Sequence, residues 1–236
     1  MKPIHVRATA SDIAPVVLLV GDPGRATRTA EMLQDARCYN EFRGLLGYTG
    51  GWRGTRVSVQ TTGMGCPSAA IVCEEMAMLG ARALIRLGTC GALGSAIKPS
   101  DMIIATAACP LDGTTADYTG GEPYAPAATF RVIRALADAA QAAGVTHHIG
   151  VIATEDALYR VREEWVERWQ SRGVIAQEME ASAIFTVSAI RGMQAGCILV
   201  ASNHAGQHER APDAVLAPAI DAMIRIGLEA AVSLGG

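Results

Sequence analysis

The sequence is poor in aromatic residues, poor in charge, and without a long apolar run. Only 5% of its 236 residues are Phe, Trp or Tyr, and 18% are charged. Lys and Arg number 20 against 23 Asp and Glu, a formal charge of −3, with no basic block of the kind a nucleic-acid binder presents. Nucleic acid is therefore not an expected partner. No stretch approaches the roughly 20 apolar residues of a membrane span. The first apolar run, Ala14 to Val20, is too short for a signal peptide and contains Pro15. A soluble, cytoplasmic protein without a membrane partner is expected. Six cysteines occur, Cys38, Cys66, Cys73, Cys90, Cys109 and Cys197, but no CxxC pair and no Cys–His spacing suited to zinc. They read as reduced thiols, mostly buried, and no metal is expected.

Hydrophobic residues, in contrast, make up half of the chain. That is enough for one substantial core, and 1–236 reads as a single domain. Low surface charge with so much apolar material also points to burial between subunits. Apolar β-branched runs alternate with helical patterns. Strands are expected at Val16–Val20, Arg56–Thr62, Ala83–Leu87, Met102–Ala107, Ile149–Ala153, Val174–Ala176 and Cys197–Ser202. Helices are expected at Gly24–Leu33, Pro67–Leu79, Ala127–Ala143, Arg162–Trp169, Ala181–Arg191 and Pro212–Leu234. This alternation predicts an α/β fold around a central sheet. Pro110–Pro126, rich in Gly, Thr, Pro and Asp, reads as the longest irregular stretch.

Five short segments carry polar residues where such a fold places ligands. Gly21-Asp22-Pro23-Gly24-Arg25 follows the first strand and opens a helix. Free N–H groups at that turn favour an anion, and Arg25 adds a cationic fork; an ordinary turn with a solvated arginine fits equally. Thr62-Gly63-Met64-Gly65-Cys66-Pro67-Ser68 stands between another strand and helix. It lacks the third glycine and the later acidic residue of a dinucleotide fingerprint. Ile85-Arg86-Leu87-Gly88-Thr89-Cys90-Gly91 sets an arginine in an apolar strand, which calls for an anion or an internal carboxylate as its partner. Gln177-Glu178-Met179-Glu180 offers carboxylates to sugar hydroxyls and methionine to a ring face, or negative charge to a helix N-terminus. Asn203-His204 ends a strand, a usual ligand position in open α/β sheets. Asn203 brings a donor and an acceptor, and the role of His204 stays open.

With Arg43-Gly-Leu-Leu-Gly-Tyr-Thr-Gly50, these segments run in order along the chain. Together they resemble the bacterial hexameric purine nucleoside phosphorylases and the related uridine phosphorylases. The resemblance implies a three-layer α/β/α sandwich with a mixed, partly barrel-like sheet, and a hexamer, a trimer of dimers with shared active sites. It implies phosphorolysis of purine nucleosides with inorganic phosphate as co-substrate and no cofactor. Gly21, Arg25, Arg43, Arg86 and Thr89 are implied to bind phosphate. His5, Met64, Glu178, Met179 and Glu180 are implied at the ribose, and Tyr159 and Asn203 at the base. His5 and Arg43 are implied to cross from the neighbouring subunit. Asn203, Arg86 and Glu180 are implied to carry the chemistry.

The resemblance leaves uridine phosphorylase as the alternative, then a nucleosidase or a non-catalytic binding protein of the same fold. Uridine phosphorylases carry a Gln-x-Arg pair soon after the segment matching Asp156–Tyr159, and Tyr-Arg-Val-Arg-Glu-Glu-Trp here has none. That favours purines. Many hexameric purine enzymes place aspartate where this chain has Asn203, and arginine near Leu216. An asparagine here implies inosine and guanosine over adenosine. Leu158 stands where an aromatic residue is common in the family.

Overall fold

The computed structural model describes residues 2–160, 163–207 and 209–235. In chain order the elements are β1 (Val16–Val20), α1 (Pro23–Ala30), β2 (Gln34–Asn40), β3 (Gly47–Trp52), β4 (Thr55–Thr61), α2 (Cys66–Met78), β5 (Ala83–Ala92) and β6 (Met102–Leu111). They continue with α3 (Gly113–Thr119), α4 (Phe130–Ala142), β7 (His147–Glu155), α5 (Glu163–Gln170), β8 (Val174–Glu178), α6 (Ala181–Ile190), β9 (Gln194–His204) and α7 (Asp213–Gly235). This is the α/β arrangement expected from the alternating pattern. The helix expected from Arg162 is described from Glu163; Arg162 lies outside the described residues.

The nine strands form one mixed sheet in the order β2-β3-β4-β1-β5-β8-β7-β6-β9, and β5 also pairs with β9. That extra pairing closes β5, β8, β7, β6 and β9 into a ring, leaving β2, β3, β4 and β1 as an open flank. β5 is the hinge of the design: it pairs in parallel with β1 and β9 and, at its end, antiparallel with β8. Strand alternation sorts the core into two layers. Val17, Leu19 and Leu84 pack with residues of α2 and α6, while Val16, Leu18, Val20 and Ile85 pack with residues of α4 and α7. Each fully buried valine or leucine there contributes about 1.5–3 kcal/mol. Trp165, Val166 and Trp169 of α5 cover a smaller cluster of Leu93, Ala153 and Val174. All six cysteines are free thiols; four are buried and Cys38 is exposed.

The strands outrun their expected limits where they reach the polar segments. β5 continues to Ala92 and β9 spans Gln194–His204, so Thr89, Gly91, Asn203 and His204 lie on strand rather than in loops. The stretch 110–126 is not irregular throughout, which corrects the expectation. β6 runs on to Leu111, and α3 follows. Asp112 caps α3 by accepting from Thr115 N at 2.6 Å, and its other oxygen accepts from Ser182 Oγ of α6 at 2.5 Å. This tertiary anchor, invisible to a local pattern, secures a two-turn helix with three Thr among its seven residues. The helix expected from Ala127 starts only at Phe130, because Ala127 bridges to Ala107 of β6.

Candidate active site

A cavity of about 720 Å³ opens at the C-terminal ends of β1, β5, β8 and β9. It gathers residues from all five segments: Gly21 and Arg25, Met64, Arg86 and Thr89, Glu178, Met179 and Glu180, and Asn203. Tyr159 and Leu158 line it as well. Met64 and Tyr159 are more than 80% exposed. His5 and Arg43 lie outside it, as does His204. Leu216 of α7 is buried in the core and does not line the cavity.

One end of the cavity is built for an anion. Asp22 caps α1 through a 2.9 Å bond from Gly24 N, with Pro23 in the first turn, which sets Arg25 one turn into the helix. Arg25 Nη1 donates to Leu87 O at 2.9 Å, while its Nε is buried and has no hydrogen-bond partner among the described residues. Burial, with the charge of Arg86, pulls Arg25 down to about 10; Asp22 and Glu180 oppose that fall, and Arg210 adds to it. Arg25 still carries its charge at neutral pH. A buried cation with an unspent donor is able to receive an anion.

Arg86 is 4% exposed, and its face of β5 turns it toward α2 and α6. Its Nε lies 2.8 Å from Glu178 Oε2, and its Nη2 pairs closely with Glu180 Oε2. The Nε contact is an ion pair rather than a directed hydrogen bond, since that N–H is not aimed at the carboxylate. Burial works against the charge on Arg86, and Glu180 and Glu178 together outweigh it, holding the guanidinium above its ordinary range. Gly88 makes room for this group: a Cβ there would stand 2.9 Å from Arg86 Nη2 and 2.7 Å from Leu199 Cδ2.

The two glutamates are not equivalent. Glu178 accepts from Thr154 Oγ1 at 2.6 Å, Glu180 N at 2.8 Å and Ala181 N at 3.0 Å, so it ties β7 to the start of α6. Thr154 Oγ1 in turn accepts from Ser182 N at 3.0 Å. Glu180 accepts from Gly65 N, at 2.6 Å, and pairs with Arg86. Gly65 reaches it from a turn with φ +88°, a conformation open to glycine. Burial raises the Glu180 carboxyl, Arg86 lowers it and Glu178 raises it again, with a net upward shift. Glu180 thus keeps acceptor positions for a ligand, whereas those of Glu178 are largely spent. The internal ion pair that the sequence allowed for Arg86 is present, and the same three charges line the cavity.

Asn203 is also partly committed. Ser202 Oγ lies 2.9 Å from its Oδ1, and its Nδ2 donates to His204 O at 3.1 Å and to Gln207 O. The side chain thereby folds residues 203–207 back toward the cavity. Among the lining residues to which the sequence assigns no role, Arg210 and Gln177 stand out by their chemistry. Arg210 precedes α7 in a segment without pattern, and only its proximity in space to Arg25 marks it. Gln177 sits within the Gln177–Glu180 segment; an amide directly after the apolar Val-Ile-Ala of β8 was the available signal. His5 is held elsewhere, by Glu75 of α2, whose carboxylate takes its Nδ1 at 2.9 Å and the N–H groups of Ile4, His5 and Val6. Arg43 is exposed on a short turn at φ +58°. Among the described residues no three His, Cys, Asp or Glu side chains are grouped to hold a metal ion, and no helix is long and apolar enough to cross a membrane.

An anion receptor beside paired carboxylates, at the strand ends of a mixed α/β sheet, agrees with the match of residues 15–232 to the family model of the phosphorylase superfamily. The chain belongs to that superfamily. More particularly, it is 39% identical over 231 residues to proteins named purine nucleoside phosphorylase DeoD-type from Bacillus cytotoxicus, Bacillus cereus and Bacillus thuringiensis. The match covers 97% of this chain and 98% of each relative.

Proposed function

We propose that the chain is a purine nucleoside phosphorylase acting through one domain, 1–236. Phosphate attacks C1′ of the sugar while the bond to the base breaks. The base leaves with the bonding electrons and takes up a proton, giving free base and ribose 1-phosphate. The observation that carries this reading is the juxtaposition of Arg25, with its unspent buried Nε, and the Glu180 carboxylate, across Arg86. Phosphate fits the end marked by Gly21, Arg25, Arg86 and Thr89. The ribose hydroxyls fit Glu180, flanked by Met64 and Met179, and the base fits the end lined by Tyr159 and Asn203.

These residue types suit the reaction. Positive charge grows on the sugar as the glycosidic bond lengthens, beside Glu180. The fixed arginines orient the phosphate, which lowers the entropic part of the barrier. We assign Glu178 to holding Arg86 in place, since Thr154, Glu180 N and Ala181 N already use its oxygens. The proposal extends to a cytoplasmic homohexamer serving nucleoside salvage, with His5 and Arg43 completing a neighbour's site. The placement of both outside their own cavity supports that exchange. No nucleic acid, membrane, metal or organic cofactor takes part.

The test is incubation with inosine, guanosine, adenosine and uridine, each with and without phosphate. The reading predicts phosphate-dependent release of base, fastest from inosine and guanosine. Release that ignores phosphate would point to a nucleosidase, and uridine as best substrate would end the purine reading.

A further inference from the structure

Gln177 is 4% exposed, lines the cavity, and carries a buried Nε2 without a hydrogen-bond partner among the described residues. A buried amide left unpaired is costly and calls for an explanation in a ligand or a bound water. Its position says which part of a ligand it meets. In the sheet register Gly91 of β5 pairs with Gln177 of β8 on one side and with Asn203 of β9 on the other. The three stand abreast, two residues beyond Thr89, or roughly 7 Å further along the strand. Thr89 belongs to the anion end, so Gln177 and Asn203 flank the opposite end. Of these two amides, Asn203 spends its donors on His204 O and Gln207 O, and its oxygen faces Ser202 Oγ. The uncommitted donor is that of Gln177.

We infer that Gln177 reads the base and selects a 6-oxopurine by donating from Nε2 to its O6/N7 edge. This rests on the phosphorylase reading above and deepens it. A 6-oxopurine presents two adjacent acceptors, O6 and N7, on that edge. Adenine presents the N6 donor beside N7, so a donor on the protein opposes a donor on the base. Specificity of this kind is strong because the site's own buried group is stranded when the wrong base binds.

The experiment is Gln177→Met, which keeps the length of the side chain and removes the amide. The inference predicts that kcat/KM for inosine and guanosine falls roughly ten- to hundredfold. The value for adenosine holds or rises, since the donor that opposes its N6 is gone, and the KM for phosphate stays within about threefold. Without ligand, the variant unfolds at the same or a higher temperature than the parent, because an unpaired buried polar group has been replaced by an apolar one. An unchanged inosine-to-adenosine ratio would overturn the inference. So would a lower unfolding temperature with equal loss on all purines, which would mark the amide as part of the internal framework. Calorimetric titration of parent and variant with free hypoxanthine and adenine reads the same contact without turnover. If the parent binds hypoxanthine and the variant does not, Gln177 reads the base even should phosphorolysis itself be absent.

Discussion

Replacing Arg86 by alanine tests how the charges of the cavity are held. Arg86 is nearly fully buried and is the cation shared by Glu178 and Glu180, which are themselves 3% exposed. Its removal leaves two carboxylates in one buried site without their partner, and breaking such a pair costs about 3–5 kcal/mol. The variant relieves part of this by binding a proton, and Glu180, already shifted upward in the parent by burial and by Glu178, is the group to take it. A carboxyl raised in the folded state destabilises the fold above its unfolded value and stops doing so below it. The deficit of Arg86→Ala relative to the parent is therefore largest at pH 8 and shrinks toward pH 5. Urea unfolding of both proteins at the two pH values, at equal protomer concentration, measures it. Phosphorolysis should be lost at either pH. A deficit below about 1 kcal/mol at pH 8, or one that does not change with pH, would refute the buried three-charge arrangement.

Three further substitutions probe neighbouring links. Gly88→Ala forces a Cβ against Leu199 and the Arg86 guanidinium, and is expected to cost about 1–3 kcal/mol and to raise the KM for phosphate; normal phosphate kinetics would show that Arg86 yields without consequence. Thr154→Val removes a donor to Glu178 and the acceptor of Ser182 N, at a cost of about 1–3 kcal/mol, whereas Thr154→Ser keeps both. Equal stability of the valine and serine variants in thermal unfolding would remove Thr154 from the network. Asn203→Asp sets a carboxyl against the carbonyls of His204 and Gln207, so the variant should lose activity relative to the parent as rising pH ionises it, while adenosine gains on inosine. A variant-to-parent ratio flat in pH would mean that the 203–207 turn does not depend on the amide donors.

The parts of this arrangement that were legible in the sequence are those encoded locally. β1 is buried along its whole length, and Val-Val-Leu-Leu-Val says so. The polar residues at the ends of β1, β4, β5, β8 and β9 interrupt or follow apolar runs, which is why all five segments could be recognised before they were seen to meet. β2, in contrast, is an exposed edge strand of sequence Gln-Asp-Ala-Arg-Cys-Tyr-Asn, and β3 has three glycines in six residues. Neither carries the apolar alternation by which strands are read; they exist because β4 offers an edge. The division of labour between Glu178 and Glu180 depends on Thr154 and Gly65, 24 and 115 residues away in the chain. Arg210 reaches the cavity from a segment with no motif, and the meaning of Gln177 lies in a missing partner, which only three dimensions reveal.

The central claim is that the anion end of the cavity delivers phosphate to the sugar. Its most direct test is the identity of the sugar product when the protein turns over inosine in phosphate buffer. The account predicts ribose 1-phosphate in amounts equal to the hypoxanthine released. Free ribose in its place would contradict it.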